Sequence, residues 1–175
     1  MNQLSRTKKI TLSALITALS VVYTLFMPTI DLGVWSFTPF SHMFVFLGVF
    51  LSPYVGIMTT LGVLGGFFLK GAQPLVLLRA FSHIFFVLYL IIVMRKISPN
   101  TKKGFFFLCA TAALVHAAFE IVAVLVGILI ALPVNQSAYY ILGVTGGGTL
   151  IHSIVDFSVA FFLFKVVQKA FRLEP

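Results

Sequence analysis

Charge is what this chain has least of: 9% of its 175 residues are Asp, Glu, Lys or Arg, and only 4 of those are acidic. A water-soluble domain of this length covers its exterior with charge, so the shortage excludes an ordinary soluble fold. Cysteine is limited to Cys109, inside an apolar stretch, so no intrachain disulfide can form and the redox compartment goes unrecorded. The signatures of common catalysts are missing too. There is no G-x-x-x-x-G-K-[ST] phosphate loop, no H-E-x-x-H zinc pair and no G-x-S-x-G nucleophile turn. The run Gly62–Lys70 is only superficially like a phosphate loop, and the glycines of 143–148 read as flexible or tightly packed helix rather than a phosphate cradle. The chain is therefore expected not to be an enzyme, and neither a cofactor nor a metal is expected.

What is abundant is apolar surface: 60% of the residues are hydrophobic, 20 of them Phe, and the mean hydropathy is +1.11. A spanning helix takes about 20 mostly apolar residues, and apolar segments run over 10–27, 37–51, 55–69, 75–94, 104–132 and 142–167. The second and third are short and meet at Ser52-Pro53, so a single kinked helix and five spans is the alternative. Basic residues separate the two counts. With six spans and the N-terminus inside, Arg6, Lys8, Lys9, Arg95, Lys96, Lys102, Lys103, Lys165, Lys169 and Arg172 all fall on the cytoplasmic side and Lys70 alone outside. Five spans would export the 95–103 loop against the positive-inside bias. The expected fold is an all-α integral membrane protein, one domain over 1–175, a compact six-helix bundle with both termini cytoplasmic. The net charge of +8 is then a topology signal rather than a nucleic-acid patch. Arg6, Lys8 and Lys9 before an apolar run resemble a signal peptide, but no small-residue cleavage site follows, so the run is taken as the first helix. The outer connections become 28–36, 70–73 and 133–140. The single tryptophan, Trp35, sits in the first, as an interfacial anchor or as part of a lid.

Seven ionisable residues fall within the apolar segments: His42, Arg79, His83, His116, Glu120, His152 and Asp156. Each costs about 2.5 kcal/mol or more at membrane depth, so such groups face the bundle interior and tend to be functional. Arg79 and His83 lie one turn apart on one helix face, near the outer end, and His42 is similarly placed on the second helix. His116 with Glu120, and His152 with Asp156, are i,i+4 pairs nearer the bilayer middle; each pair either satisfies itself as structural glue or serves a site. A faint echo, Phe40-Ser41-His42-Met43-Phe44 against Phe81-Ser82-His83-Ile84-Phe85, recurs at an offset of 41 residues. Ser, His, Arg and aromatic rings together suit a small, flat or anionic solute, with Arg79 pairing a carboxylate. On the first helix Ala14 and Ala18 form a small-residue stripe that would let another helix approach closely.

The short helices, the Ala14/Ala18 stripe, the basic cytoplasmic ends and the polar groups toward the outside together resemble the substrate-binding S-components of energy-coupling factor (ECF) vitamin transporters. The likeness covers nearly the whole chain. The segments Ser36-Phe37-Thr38 through Ser41-His42, Leu77-Leu78-Arg79-Ala80-Phe81-Ser82-His83-Ile84 and His152-Ser153-Ile154-Val155-Asp156-Phe157 are most similar to the niacin-specific branch. The resemblance implies a bacterial plasma-membrane protein that captures a vitamin from outside and works with a membrane coupling subunit and two ATPases. It implies solute contacts at Arg79, His83, His42, Trp35, Phe40, Glu120 and His152, coupling-subunit contacts at Ala14 and Ala18, and gating by the loops 28–36 and 70–73. Pantothenate or another B-vitamin is the alternative solute. Two readings of other classes stand beside it: an intramembrane metal-dependent protease drawing ligands from the His-acid pairs, though the Glu-Glu of CAAX-type proteases is absent, and a subunit of a larger complex without a solute pocket.

Overall fold

The computed structural model describes residues 6–32 and 35–170, and the side chains of residue 9 and residues 31–37 lie outside the described part. Six α-helices follow one another: α1 (Arg6–Phe26), α2 (Met43–Leu51), α3 (Pro53–Leu69), α4 (Pro74–Val93), α5 (Lys102–Leu129) and α6 (Gly148–Ala170), the last continuous with a π-helical stretch, Tyr139–Gly147. Between α1 and α2 a small antiparallel hairpin pairs β1 (Ile30–Leu32) with β2 (Trp35–Phe37), with Ile30 opposite Phe37 and Leu32 opposite Trp35. The helical membrane architecture expected from the sequence is present. Helices α1, α4, α5 and the continuous Tyr139–Ala170 are each long and apolar enough to cross a bilayer.

The two short elements depart from the expected segments. The helix expected over 37–51 begins only at Met43. Pro39 has no N–H to give and pushes Thr38 into extended backbone, while Phe40 sits in the left-handed region at φ 54°. Residues 38–42 therefore form a turn, held by Ser41 N–H to the Thr38 carbonyl (3.2 Å) and Met43 N–H to the Phe40 carbonyl (3.1 Å). Thr38, Ser41 and His42 are buried although they are not helical. Irregular backbone at such depth is tolerated only where protein surrounds it or where it lines a cavity.

Ser52, extended at φ −170° and ψ 145°, separates α2 from α3, and Pro53 starts α3 at a position where its missing N–H costs nothing. The chain then reverses. A Cβ on Gly56 would lie 3.0 Å from the Val49 Cα, and one on Gly48 would lie 3.1 Å from the Gly56 Cα, so the two helices run back alongside each other. They form a tight hairpin rather than the single kinked helix of the five-span alternative. At the far end of the bundle α5 stops at Leu129, short of the expected 132, as Ala131 turns left-handed at φ 60°.

Small residues also set how α1 meets α3. Gly62 faces Thr17 and Ser20, Gly66 faces Thr24, and Ser20 and Thr24 satisfy their hydroxyls on the α1 backbone at 2.8 Å each. The opposite face of α1 carries Leu15, Leu19 and Val22 outward, with Ala14 and Ala18 exposed among them. Near the Ser52 turn the bundle is filled by phenylalanine: the Phe157 ring lies 5.3 Å from Phe46, 5.1 Å from Phe50 and 5.6 Å from Phe105. Large apolar side chains such as Phe106, Leu129, Ile151 and Phe162 point outward, while Arg79, His116, Glu120 and Asp156 are buried. This inversion of a soluble protein suits lipid as the surrounding solvent.

A side chain at Gly62 has nowhere to go, whereas a Cβ at Gly65 meets nothing within 4 Å. Gly62→Leu is expected to lose about 1–3 kcal/mol through overpacking, and Gly65→Leu to stay within about 0.5 kcal/mol of the parent. Thermal unfolding of the two variants in detergent checks the contrast.

Candidate functional site

A cavity of about 450 Å³ occupies the end of the bundle opposite the phenylalanine core. Its walls come from the 38–42 turn, the end of α3 and the 70–73 connection, α4, Glu120 of α5, the 133–135 segment and the start of the last helix. All three connections expected outside thus border one opening. Lys70 ties two of them together, its Nζ donating to the Met27 carbonyl at 2.7 Å and to the Thr29 hydroxyl at 3.1 Å.

Four elements supply the polar groups, and in three of them helical spacing sets the arrangement. Arg79 and His83 on α4, His116 and Glu120 on α5, and His152 and Asp156 on α6 each stand one turn apart, so each pair shares a face. His42 arrives from the irregular turn before α2. Glu120 is the junction: the Arg79 Nε donates to its Oε2 at 2.6 Å, the Thr149 hydroxyl donates to the same oxygen at 3.4 Å, and His83 Nε2 lies 3.3 Å from its Oε1. One carboxylate therefore joins α4, α5 and α6. Asp156 does the equivalent for α2, accepting the His42 backbone N–H on Oδ2 at 2.9 Å. That N–H belongs to the first turn of a helix, where no backbone acceptor exists, so Asp156 caps α2 from across the bundle.

The histidines gather between these two acids. His42 Nδ1 is 2.7 Å from His152 Nε2, and His42 Nε2 is 3.1 Å from His83 Nε2. His116, fully buried behind them, sets its Nδ1 against the Ser153 hydroxyl at 2.5 Å, and its ring centroid is 4.5 Å from that of His42. Two sets of side chains bring metal-ligating atoms within 4.8 Å of one another: His42, His83, His116 and Glu120, and separately His42, His152 and Asp156.

Of the expected contacts, Arg79, His83, His42, Glu120 and His152 all line the cavity. Phe40 does not; it is exposed, at the corner of the turn that carries His42 inward. The Trp35 side chain lies outside the described residues. The outer three and the two pairs expected deeper are joined in one connected set of seven. The i,i+4 pairs do approach, at 3.6 Å for His116 with Glu120 and 3.3 Å for His152 with Asp156, but the shortest contacts of both acids reach other elements. The sequence echo has a geometric counterpart in the His42 and His83 pair, although its serines differ: Ser41 lies beside His42 and His152, while Ser82 bonds back to the Arg79 carbonyl. Sequence reasoning missed Tyr140, Thr149, Gln73 and Asn135, which line the same space. Neutral polar residues carry no penalty that marks them out; the one available signal was the glycine-rich start of the last helix, whose π-helical geometry is a common mark of functional sites.

Arg79 and Glu120 are buried together, so the cost of breaking the pair should exceed the cost of replacing it. Arg79→Met is expected to destabilise by about 3–5 kcal/mol, and the double variant Arg79→Met/Glu120→Leu to recover most of that loss. A double-mutant cycle on thermal unfolding in detergent measures both.

No family model matches this chain, and no solved structure matches it. Among curated proteins it is similar to the niacin transporter NiaX of Lactococcus lactis subsp. cremoris, with 28% identity over 183 residues that cover 98% of this chain and 82% of that protein. The resemblance to vitamin transporters read from the residues is thereby borne out: this is a helical, multi-pass membrane protein similar along almost its whole length to a niacin transporter.

Proposed function

We propose that this chain is the substrate-binding S-component of an ECF-type importer, capturing niacin from outside for uptake driven by partner subunits. The observation that carries the reading is the charge balance of the cavity in a chain similar to a niacin transporter. Among the described residues Lys70 and Arg79 line it against the acid Glu120, so with neutral imidazoles these groups leave one positive charge over. That surplus suits a monoanion such as a pyridine carboxylate. The volume of about 450 Å³ lies within the usual range for small-molecule sites. Lys70 is at the mouth and Arg79 deeper, an order that would draw a carboxylate inward, while the His42, His83 and Tyr140 rings offer flat surface to the solute ring.

A further charge asymmetry supports an orientation in the plasma membrane. Among the described loops and helix ends, Arg95, Lys96, Lys102, Lys103, Lys165 and Lys169 gather at the end away from the cavity, and Lys70 at the cavity end. The positive-inside rule then turns the cavity outward and both termini inward. The exposed Ala14 and Ala18 offer a shallow face on α1 where a coupling subunit would dock, and ATP hydrolysis belongs to two further partners; this chain is not itself an enzyme. Loops 28–36 and 70–73, already tied by Lys70, would close over the bound solute.

Equilibrium binding of labelled niacin to the purified chain is expected in the micromolar range or tighter, with nicotinamide, which lacks the carboxylate, about 10-fold weaker or worse, and Arg79→Ala reducing niacin affinity by a similar factor. Pantothenate displacing niacin at lower concentration would transfer the assignment to pantothenate, and no binding of any water-soluble vitamin would remove it. Ala14→Trp should abolish uptake in cells while binding persists.

A further inference from the structure

We propose that His42, His83, His116 and Glu120 hold one divalent transition-metal ion, zinc by preference, at the floor of the cavity. The ion stands on these four side chains alone; its use as an anchor for the solute rests on the proposed function.

The donor atoms all lie within 4.8 Å of one another, and three of the spacings suit a tetrahedral site. His42 Nε2 and His83 Nε2 are 3.1 Å apart, His83 Nε2 and Glu120 Oε1 3.3 Å, and His116 Nε2 and Glu120 Oε1 3.6 Å. Zinc–ligand bonds of 2.0–2.1 Å in a tetrahedron separate the donors by about 3.3 Å. Three imidazole nitrogens and one carboxylate oxygen are a borderline donor set that favours zinc, cobalt or nickel over magnesium or calcium.

Three of the four ligands have a far side arranged as outer-shell partners of a metal site are, and His83, whose Nδ1 is buried without a hydrogen-bond partner, is the exception. His116 is held through Nδ1 by Ser153, His42 through Nδ1 by His152 and Asp156, and the second oxygen of Glu120 by Arg79 and Thr149. What this leaves facing the centre is telling. His116 Nε2 is completely buried and faces Glu120 Oε1 at 3.6 Å, beyond hydrogen-bond length, a gap that a cation held between the two would close. The other donor set, His42, His152 and Asp156, fits less well: its 2.7 Å nitrogen–nitrogen contact is shorter than the spacing of about 3.3 Å between tetrahedral zinc donors, and Asp156 Oδ2 already accepts the His42 backbone N–H. It is the support for the first. Because His42, His83 and Glu120 also line the cavity, a solute carboxylate or ring nitrogen could reach the ion as a fifth ligand.

The purified full-length chain, incubated with Zn²⁺ or Co²⁺ and desalted, is expected to retain one ion per chain, and the cobalt form to show the intense visible bands of tetrahedral coordination. His83→Ala and His116→Ala should lose the ion. Ser153→Ala, which leaves all four ligands in place, should weaken metal affinity by about 10-fold. Helical circular dichroism identifies any variant that fails to fold, and His116→Gln replaces His116→Ala in that event. A wild-type chain that retains no metal, or variants that retain as much as wild type, would overturn the site. Niacin binding by a chain that takes up no metal sinks the ion and leaves the transporter reading standing; stoichiometric metal without vitamin binding does the reverse.

Discussion

A carboxylate cannot lie bare in hydrocarbon, and the arrangement of this bundle follows from how Glu120 meets that constraint. Its two oxygens are shared among Arg79, His83 and Thr149, which belong to α4 and α6, so the helix that carries the charge is bound to its neighbours on both sides. Between helices whose outer faces are already at ease in lipid, the hydrophobic effect gives little reason to associate; polar contacts and close packing have to do it. Glu120 provides the first. Asp156 extends the same network to α2 by capping its first turn.

Close packing is supplied elsewhere and for a different reason. Gly48 and Gly56 let α2 fold back on α3, and Gly62 and Gly66 let α3 take up the hydroxyl-bearing face of α1. These contacts, with the edge-to-face phenylalanines around Phe157, make one end of the bundle solid. The other end stays open, because nine-residue α2 covers only about 14 Å and the rest of that passage is the bent 38–42 turn. The short helix is thus what makes room for the cavity, and the turn that replaces its first half brings Thr38, Ser41 and His42 to the cavity wall.

Several elements were legible in advance. The number of helices and the burial of six of the seven ionisable residues, His152 being half-buried, follow from composition and from the cost of charge in lipid, which does not depend on who the neighbours are. The reversal at Ser52-Pro53 was visible as a break, and the charge distribution chose a reversal over a kink. The start of α2 was misjudged because hydropathy reads 37–42 as apolar sequence; Pro39 and the left-handed Phe40 override it through backbone geometry. The 41-residue echo was a fair hint of the His42 and His83 contact, yet nothing in it distinguished the different work of Ser41 and Ser82.

By itself, then, the sequence determined that this chain lives in a membrane, which stretches are helical and which side chains must turn away from lipid, since each of these is a property of local composition. Only the tertiary structure decided that those side chains are one site. The partners of Glu120 lie 41 positions away at Arg79, 37 at His83 and 29 at Thr149, and those of Asp156 include His42 at a distance of 114. Helical periodicity links neighbours three or four residues apart and is silent about such separations, which are set by how the helices pack.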